Sequence, residues 1–326
     1  MSADSEMIRP EYTDIAAAAQ RIKGHVQRTP VVESETLNSQ LGCQAWFKCE
    51  NRQATGAFKL RGASNAVLKL VELGILQDVA THSSGNHGAA LACAASSSNR
   101  KAYVVMPDNA VRAKVDSVRR HGGEVIFCAA NQSAREAGLA ELVRKGLVPI
   151  PPYDHPDIIA GQGTAALEFI QEVPRLDYLV TPVGGGGLVS GSAIAARHAD
   201  PKIRVIAAEP AGAADTFKSF SQGKRVDSWN PDTIADGLRA VVGEMTFPII
   251  RELVYDVLTV SEEGIRQAVY LAYEHLGMVI EPSAATVIAA IMQHPDRFTG
   301  QRVGMILSGG NIDPGLFPDL AHSSGG

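Results

Sequence analysis

The chain has 326 residues, 45% of them hydrophobic and 20% charged, with a net charge of −5, which is too much chain for one small core and predicts one large or two medium domains. There is no basic excess, so nucleic acid is excluded as a partner, and no run reaches the roughly 18 apolar residues needed to span a bilayer. Cys43, Cys49, Cys93 and Cys128 lack CxxC spacing, which fits a reduced, cytoplasmic protein better than a disulfide framework or a zinc site.

The polar, acidic start at 1–11 argues against a leader peptide, and 322–326 reads as a frayed tail. The first helical pattern covers 12–23, where Ile15, Ala18, Ala19 and Ile22 share one face. A strand is predicted at 45–49 and a helix at 62–74, with Gly74 near its end. Strands at 78–82, 101–106, 124–128 and 148–150 then alternate with helices at 87–96, 110–121 and 133–145. The alternation resumes with helix 161–173, strand 178–182, helix 187–198 and strand 204–209. The 218–232 stretch is polar and reads as loop. Helix 244–253, strand 255–260, helices 262–276 and 283–293, and strand 302–308 complete the chain.

Short β-rich runs alternating with longer helices imply an α/β protein with open, mostly parallel sheets flanked by helices. The four strands between 78 and 150 can close as their own sheet. They predict a small domain at 77–151 inserted in a large one made of 1–76 and 152–326.

Three segments carry chemistry. In Gly56-Ala57-Phe58-Lys59-Leu60-Arg61-Gly62, a lysine with apolar neighbours can have a lowered pKa and form a Schiff base with an aldehyde cofactor; taken alone, a surface lysine reads the same. Gly184-Gly185-Gly186-Gly187 follows a strand and opens a helix, so successive N–H groups can converge on a phosphate. Leu188-Val189 stands where a nucleotide P-loop needs Lys-Ser/Thr. Ser83-Ser84-Gly85-Asn86-His87-Gly88 suits a carboxylate, with Asn86 able to bond a phenolic oxygen; a helix start capped by Ser or Asn is the alternative. Ser308 can bond an aromatic ring nitrogen or sit in an ordinary turn. Glu209 and Asp215, with a main-chain carbonyl, can hold a hard cation or be two solvated acids.

Taken together with Arg28-Thr29-Pro30, Phe47-Lys48-Cys49-Glu50-Asn51, Gly161-Gln162-Gly163-Thr164 and Ser308-Gly309-Gly310-Asn311-Ile312-Asp313, these segments resemble the serine racemase / serine–threonine dehydratase family. Its members are fold-type II pyridoxal phosphate (PLP) enzymes with a tryptophan synthase β-like fold, and the resemblance covers nearly the whole chain. It implies that Lys59 binds the cofactor covalently and Phe58 packs on it. Asn86 would bond the pyridoxal hydroxyl, Gly184 to Leu188 hold the phosphate, and Ser308 face the ring nitrogen. A neutral hydroxyl there suits racemisation or elimination over transamination.

The resemblance also implies that Ser84 is the second acid/base, on the face opposite Lys59, and that Ser83, Ser84, Asn86 and His87 bind the substrate carboxylate. Glu209, the Ala213 carbonyl and Asp215 match a divalent-cation site for Mg²⁺, or alternatively Ca²⁺ or Mn²⁺. Arg135 matches a position that meets a second substrate carboxylate. Pro151-Pro152-Tyr153-Asp154-His155-Pro156 resembles bacterial hydroxyaspartate and threonine ammonia-lyases, which adds Tyr153 to the substrate set. Animal racemases bind ATP with a lysine where Ala54 stands; Lys114 matches a second basic position, but the change at Ala54 argues against ATP activation.

The implied activity is serine racemisation with dehydration of L-serine or L-threonine, by a homodimer acting on a small amino acid. Ammonia-lyase action on L-threo-3-hydroxyaspartate or threonine is the first alternative, and a non-catalytic amino-acid sensor is the remote one.

Overall fold

The computed structural model describes residues 9–83, 85–313 and 315. Its strands are β1 (Val31–Val32), β2 (Gln44–Cys49), β3 (Val79–His82), β4 (Ala102–Pro107), β5 (Glu124–Cys128), β6 (Val148–Pro149), β7 (Tyr178–Pro182), β8 (Arg204–Pro210), β9 (Asp256–Val260) and β10 (Arg302–Leu307). Six of them form one sheet in the order β1-β2-β10-β7-β8-β9, and four form another in the order β5-β4-β3-β6. Every pairing is parallel except the short antiparallel edge β1–β2.

The helices are α1 (Tyr12–Arg21), α2 (Glu35–Leu41), α3 (Lys59–Glu72), α4 (Asn86–Ser96), α5 (Arg112–Arg120), α6 (Gln132–Arg144) and α7 (Pro156–Glu172). They continue with α8 (Gly187–Ala199), α9 (Asp215–Gln222), α10 (Thr246–Leu253), α11 (Glu262–Leu276), α12 (Pro282–Gln293) and α13 (Pro295–Phe298). Among the described residues no helix is long and apolar enough to cross a membrane.

Strand β7 lies between β10 and β8 and is buried along its whole length, as a strand covered on both faces requires. Helices α3, α7 and α8 pack almost backbone to backbone. A Cβ at Gly161 would stand 2.6 Å from the Gly62 Cα, and one at Gly163 would stand 2.8 Å from the Gly191 carbonyl oxygen.

A buried ionic knot fixes the start of α3. The Arg61 guanidinium donates to both oxygens of Glu50 (2.8 and 2.8 Å) and of Glu168 (2.9 and 2.8 Å). Lys48 Nζ adds bonds to Glu168 (2.8 Å) and to the Thr29 carbonyl (2.7 Å). Burial opposes the charge on Arg61, but the Glu50 and Glu168 carboxylates outweigh it and keep the guanidinium protonated. Removing one partner of such a knot costs about 3–5 kcal/mol, because the other charge stays buried and unpaired.

Several boundaries differ from the sequence expectations. Helix α3 starts at Lys59 rather than 62, and α7 at Pro156 rather than 161, where His155 caps it by accepting from Asp157 N–H. Strand β1 and helices α2, α9 and α13 were not anticipated. The seven residues of α2 are too few for a clear period, although Ser34 caps the start and Gly42, at φ 67°, ends it. Helix α9 takes part of the stretch expected to be loop.

Candidate active site

Open α/β sheets bind ligands beyond the C-terminal ends of their strands. Ser83 follows β3, Gly184–Gly187 follow β7 and Ser308 follows β10. All of them line one cavity of about 650 Å³. Phe58, Lys59, Asn86, His87, Arg135, Tyr153 and Leu188 line it too. Ser84 lies outside the described residues.

Lys59 is the first residue of α3, and its Nζ donates to the Pro152 carbonyl at 2.7 Å, 5.1 Å from the centre of the Phe58 ring. Burial pulls its pKa down to about 8, against the upward pull of the Glu281 carboxylate. An amine with that pKa is partly neutral, hence nucleophilic, near physiological pH.

The glycine loop is shaped by its neighbours. Gly186 has φ 90°, and a Cβ at Gly185 would fall 2.3 Å from the Tyr153 ring. The Gly185 carbonyl accepts from Thr246 Oγ1 at 2.7 Å. Gly186 then caps α8, whose 13 residues present their positive end to the cavity.

On the opposite wall, α4 starts without a side-chain cap. Its N-cap is Gly85, whose N–H instead reaches Ser83 Oγ at 3.3 Å. This removes the reading of Asn86 as an ordinary helix cap. Asn86 Nδ2 donates to both oxygens of Glu281 at 3.0 Å, and its Oδ1 accepts from Asn311 Nδ2 at 2.9 Å. His87 is buried, with Nε2 3.0 Å from the Ile150 carbonyl and Nδ1 without a partner among the described residues. Burial, then the nearby Lys59, lower its pKa to about 3. His87 is therefore a neutral ring, and the bond to Ile150 assigns its proton to Nε2.

Arg135, on α6, lines the cavity, and its Nε is buried with no partner among the described residues. Burial first, and then the Arg135 charge, lower the pKa of His82.

Glu281 is a cavity residue that sequence reasoning missed. It is 5% exposed, and burial pushes its carboxyl up to about 7, with the Asn86 hydrogen bond pulling down. Its only local sequence signal is a position before Pro282 at the start of α12, where an acid reads as ordinary helix-dipole chemistry.

Glu209, Ala213 and Asp215 are buried together at the end of β8 and do not line this cavity. Glu209 accepts from the N–H groups of Thr216 and Phe217, and Asp215 from that of Val242. Burial raises Glu209 to about 8, with Asp215 adding to it, and raises Asp215 to about 6. Among the described residues no three His, Cys, Asp or Glu side chains gather as metal ligands.

A family described as pyridoxal-phosphate dependent enzyme matches residues 22–309. A serine racemase from Arabidopsis thaliana is 44% identical, the match covering 99% of this chain and 100% of that protein. A beta-hydroxyaspartate dehydratase from Paracoccus denitrificans is 43% identical, over 96% and 99%. The solved structure of maize serine racemase superposes with a TM-score of 0.92 at 40% identity, over 96% of this chain and 97% of that one.

Proposed function

We propose, since this chain belongs to the pyridoxal-phosphate dependent enzyme family, that it racemises serine and also dehydrates L-serine and L-threonine to 2-oxo acids and ammonia. The observation that carries this reading is the convergence of Lys59, the glycine loop, Ser83, Gly85, Asn86 and His87 on one cavity.

The residues present fit pyridoxal phosphate. The side-chain-free cradle at Gly184–Gly187 and the N-terminus of α8 suit its phosphate, with Leu188 closing the turn. Lys59 supplies an amine of lowered pKa, Phe58 an apolar surface, Asn86 an amide for the hydroxyl, and Ser308 a hydroxyl for the ring nitrogen. When bound, the cofactor supplies an aldehyde that captures amines and a ring that spreads the charge left by a departing α-proton.

The chain's own residues do the rest. The Ser83, Asn86 and His87 segment takes the substrate carboxylate, and Lys59 takes the α-proton of L-serine. Return of a proton from Ser84 on the other face gives D-serine. Loss of the β-hydroxyl instead gives, in net terms, pyruvate and ammonia from serine. We read residues 77–151 as a small domain within a large one formed by 1–76 and 152–326, and the active protein as a cytoplasmic homodimer.

A divalent cation, Mg²⁺ before Ca²⁺ or Mn²⁺, fits Glu209, the Ala213 carbonyl and Asp215. Two buried carboxylates without an ion-pair partner among the described residues support it, since a cation would hold both ionised. The change at Ala54 still argues against ATP activation, and Lys114 is paired with Asp236.

A second reading, ammonia-lyase action on L-threo-3-hydroxyaspartate or threonine, is favoured by the Nε of Arg135, which has no partner among the described residues, and by Tyr153, which lines the same cavity. One assay decides between them: D-serine and 2-oxo acid measured together on L-serine, L-threonine and 3-hydroxyaspartate, with and without Mg²⁺. Racemisation is expected from L-serine, and Ser84→Ala is expected to abolish it while sparing elimination. Equal loss of both activities rejects the role given to Ser84.

A further inference from the structure

We infer that Asp154 is a positioning residue for the phosphate end of the cavity, acting through Thr246 without touching the cofactor. Helix α10 begins with no cap of its own, because Met245, at its N-cap, makes no side-chain bond. Three N–H groups at this start converge instead on the Asp154 carboxylate, from Glu244 (2.9 Å), Met245 (3.0 Å) and Thr246 (3.1 Å). The cap therefore comes from a residue some ninety positions earlier in the chain, and it decides where Thr246 stands.

Thr246 passes that placement on. Its Oγ1 donates to the Gly185 carbonyl at 2.7 Å and accepts from Gly243 N–H at 2.9 Å, while Gly243 N–H also reaches the Gly185 carbonyl at 3.3 Å. The peptide bond between Gly185 and Gly186 is trans, so the N–H of Gly186 points opposite to the Gly185 carbonyl, away from Thr246. Holding that carbonyl fixes the direction of a donor in the glycine loop. Little space is left for another arrangement, since a Cβ at Gly243 would fall 2.2 Å from Asp154 Oδ1 and one at Gly186 would fall 2.7 Å from Thr246 Oγ1.

The neighbours of Asp154 serve other parts of the cavity. Tyr153 covers Gly185 and Gly187, and the Pro152 carbonyl receives Lys59. The effect of Asp154 is thus separable from that of the lysine end. The inference rests on the cofactor site proposed above, and its test distinguishes the two.

Cofactor-free protein is titrated with pyridoxal phosphate and with pyridoxal, which carries the same aldehyde but no phosphate, and binding is followed by absorbance. Wild type should prefer the phosphorylated form; absence of that preference rejects the site reading and the inference with it. Asp154→Ala should weaken pyridoxal phosphate about tenfold, the typical cost of a lost helix cap, and leave pyridoxal nearly unchanged. Thr246→Val should act in the same direction, Thr246→Ser should restore the preference, and the Asp154→Ala/Thr246→Val pair should be no worse than the stronger single variant. Asp154→Asn, which keeps an acceptor oxygen, should fall between wild type and alanine. Equal weakening of both ligands, or no weakening, overturns the role of Asp154 even if the cofactor site stands.

Discussion

The cavity has two walls of different construction. Behind the glycine loop, β7 is buried at every residue, Gly184 to Leu188 are all buried, and Tyr153 and Thr246 crowd the loop from two sides. Behind the Ser83–Asn86 segment lies the four-stranded sheet, whose edge strand β5 has no fully buried residue. Among the described residues, and its chain neighbours apart, nothing lies within 4 Å of where a Cβ on Gly85 would stand. Binding a fixed anion gains from donors already held in place. A wall with fewer buried contacts opens at lower free-energy cost, which suits the side proposed to take the substrate carboxylate.

The largest test of this contrast is a pair of identical substitutions. Gly185→Ala drives a methyl group into the Tyr153 ring and should cost about 1–3 kcal/mol by overpacking, read as a lower Tm and weaker pyridoxal phosphate binding. Gly85→Ala, at negative φ with open space beyond, should stay within about 0.5 kcal/mol. Equal costs would erase the distinction between the walls. A comparable effect, confined to one substrate, is expected from Arg135→Ala. If its Nε, without a partner among the described residues, meets a second carboxylate, kcat/KM for 3-hydroxyaspartate should fall about 10- to 100-fold, the worth of one charged hydrogen bond, while L-serine is spared. An unchanged substrate preference dismisses that contact.

What the sequence revealed follows from how local each feature is. The strand–glycine–helix order at Gly184–Gly187 and the apolar setting of Lys59 involve neighbours in the chain, so both were legible, as were the alternating elements of the two sheets. Glu281 was not, because its meaning comes from Asn86, 195 positions away. The start of α10 was misplaced for the same reason: its cap is Asp154, and no residue near 244 signals it. Edge strand β1, two residues long, carries too little pattern to be read at all.

Glu281 also links the walls, since it precedes α12 on one side and holds Asn86 of the other. That gives a last, smaller prediction. Capture of the aldehyde needs the neutral Lys59 amine, and burial lowers its pKa from 10.5 to about 8. The rate at which cofactor-free protein takes up pyridoxal phosphate should therefore rise with pH through about 8 and level off, where an exposed lysine would keep gaining beyond 10. His87, at about 3, stays neutral throughout and adds no inflection. The Glu281 carboxylate pulls Lys59 upward, so Glu281→Gln should move the midpoint to lower pH. Glu281 itself takes up a proton as pH falls through about 7, which makes wild type resemble the glutamine variant. The two profiles should accordingly converge below pH 7 and separate most near pH 8. Superimposable profiles near pH 8 would mean that Glu281 does not act on Lys59, and the walls would then be linked by the Asn86 hydrogen bonds without any coupling to the amine.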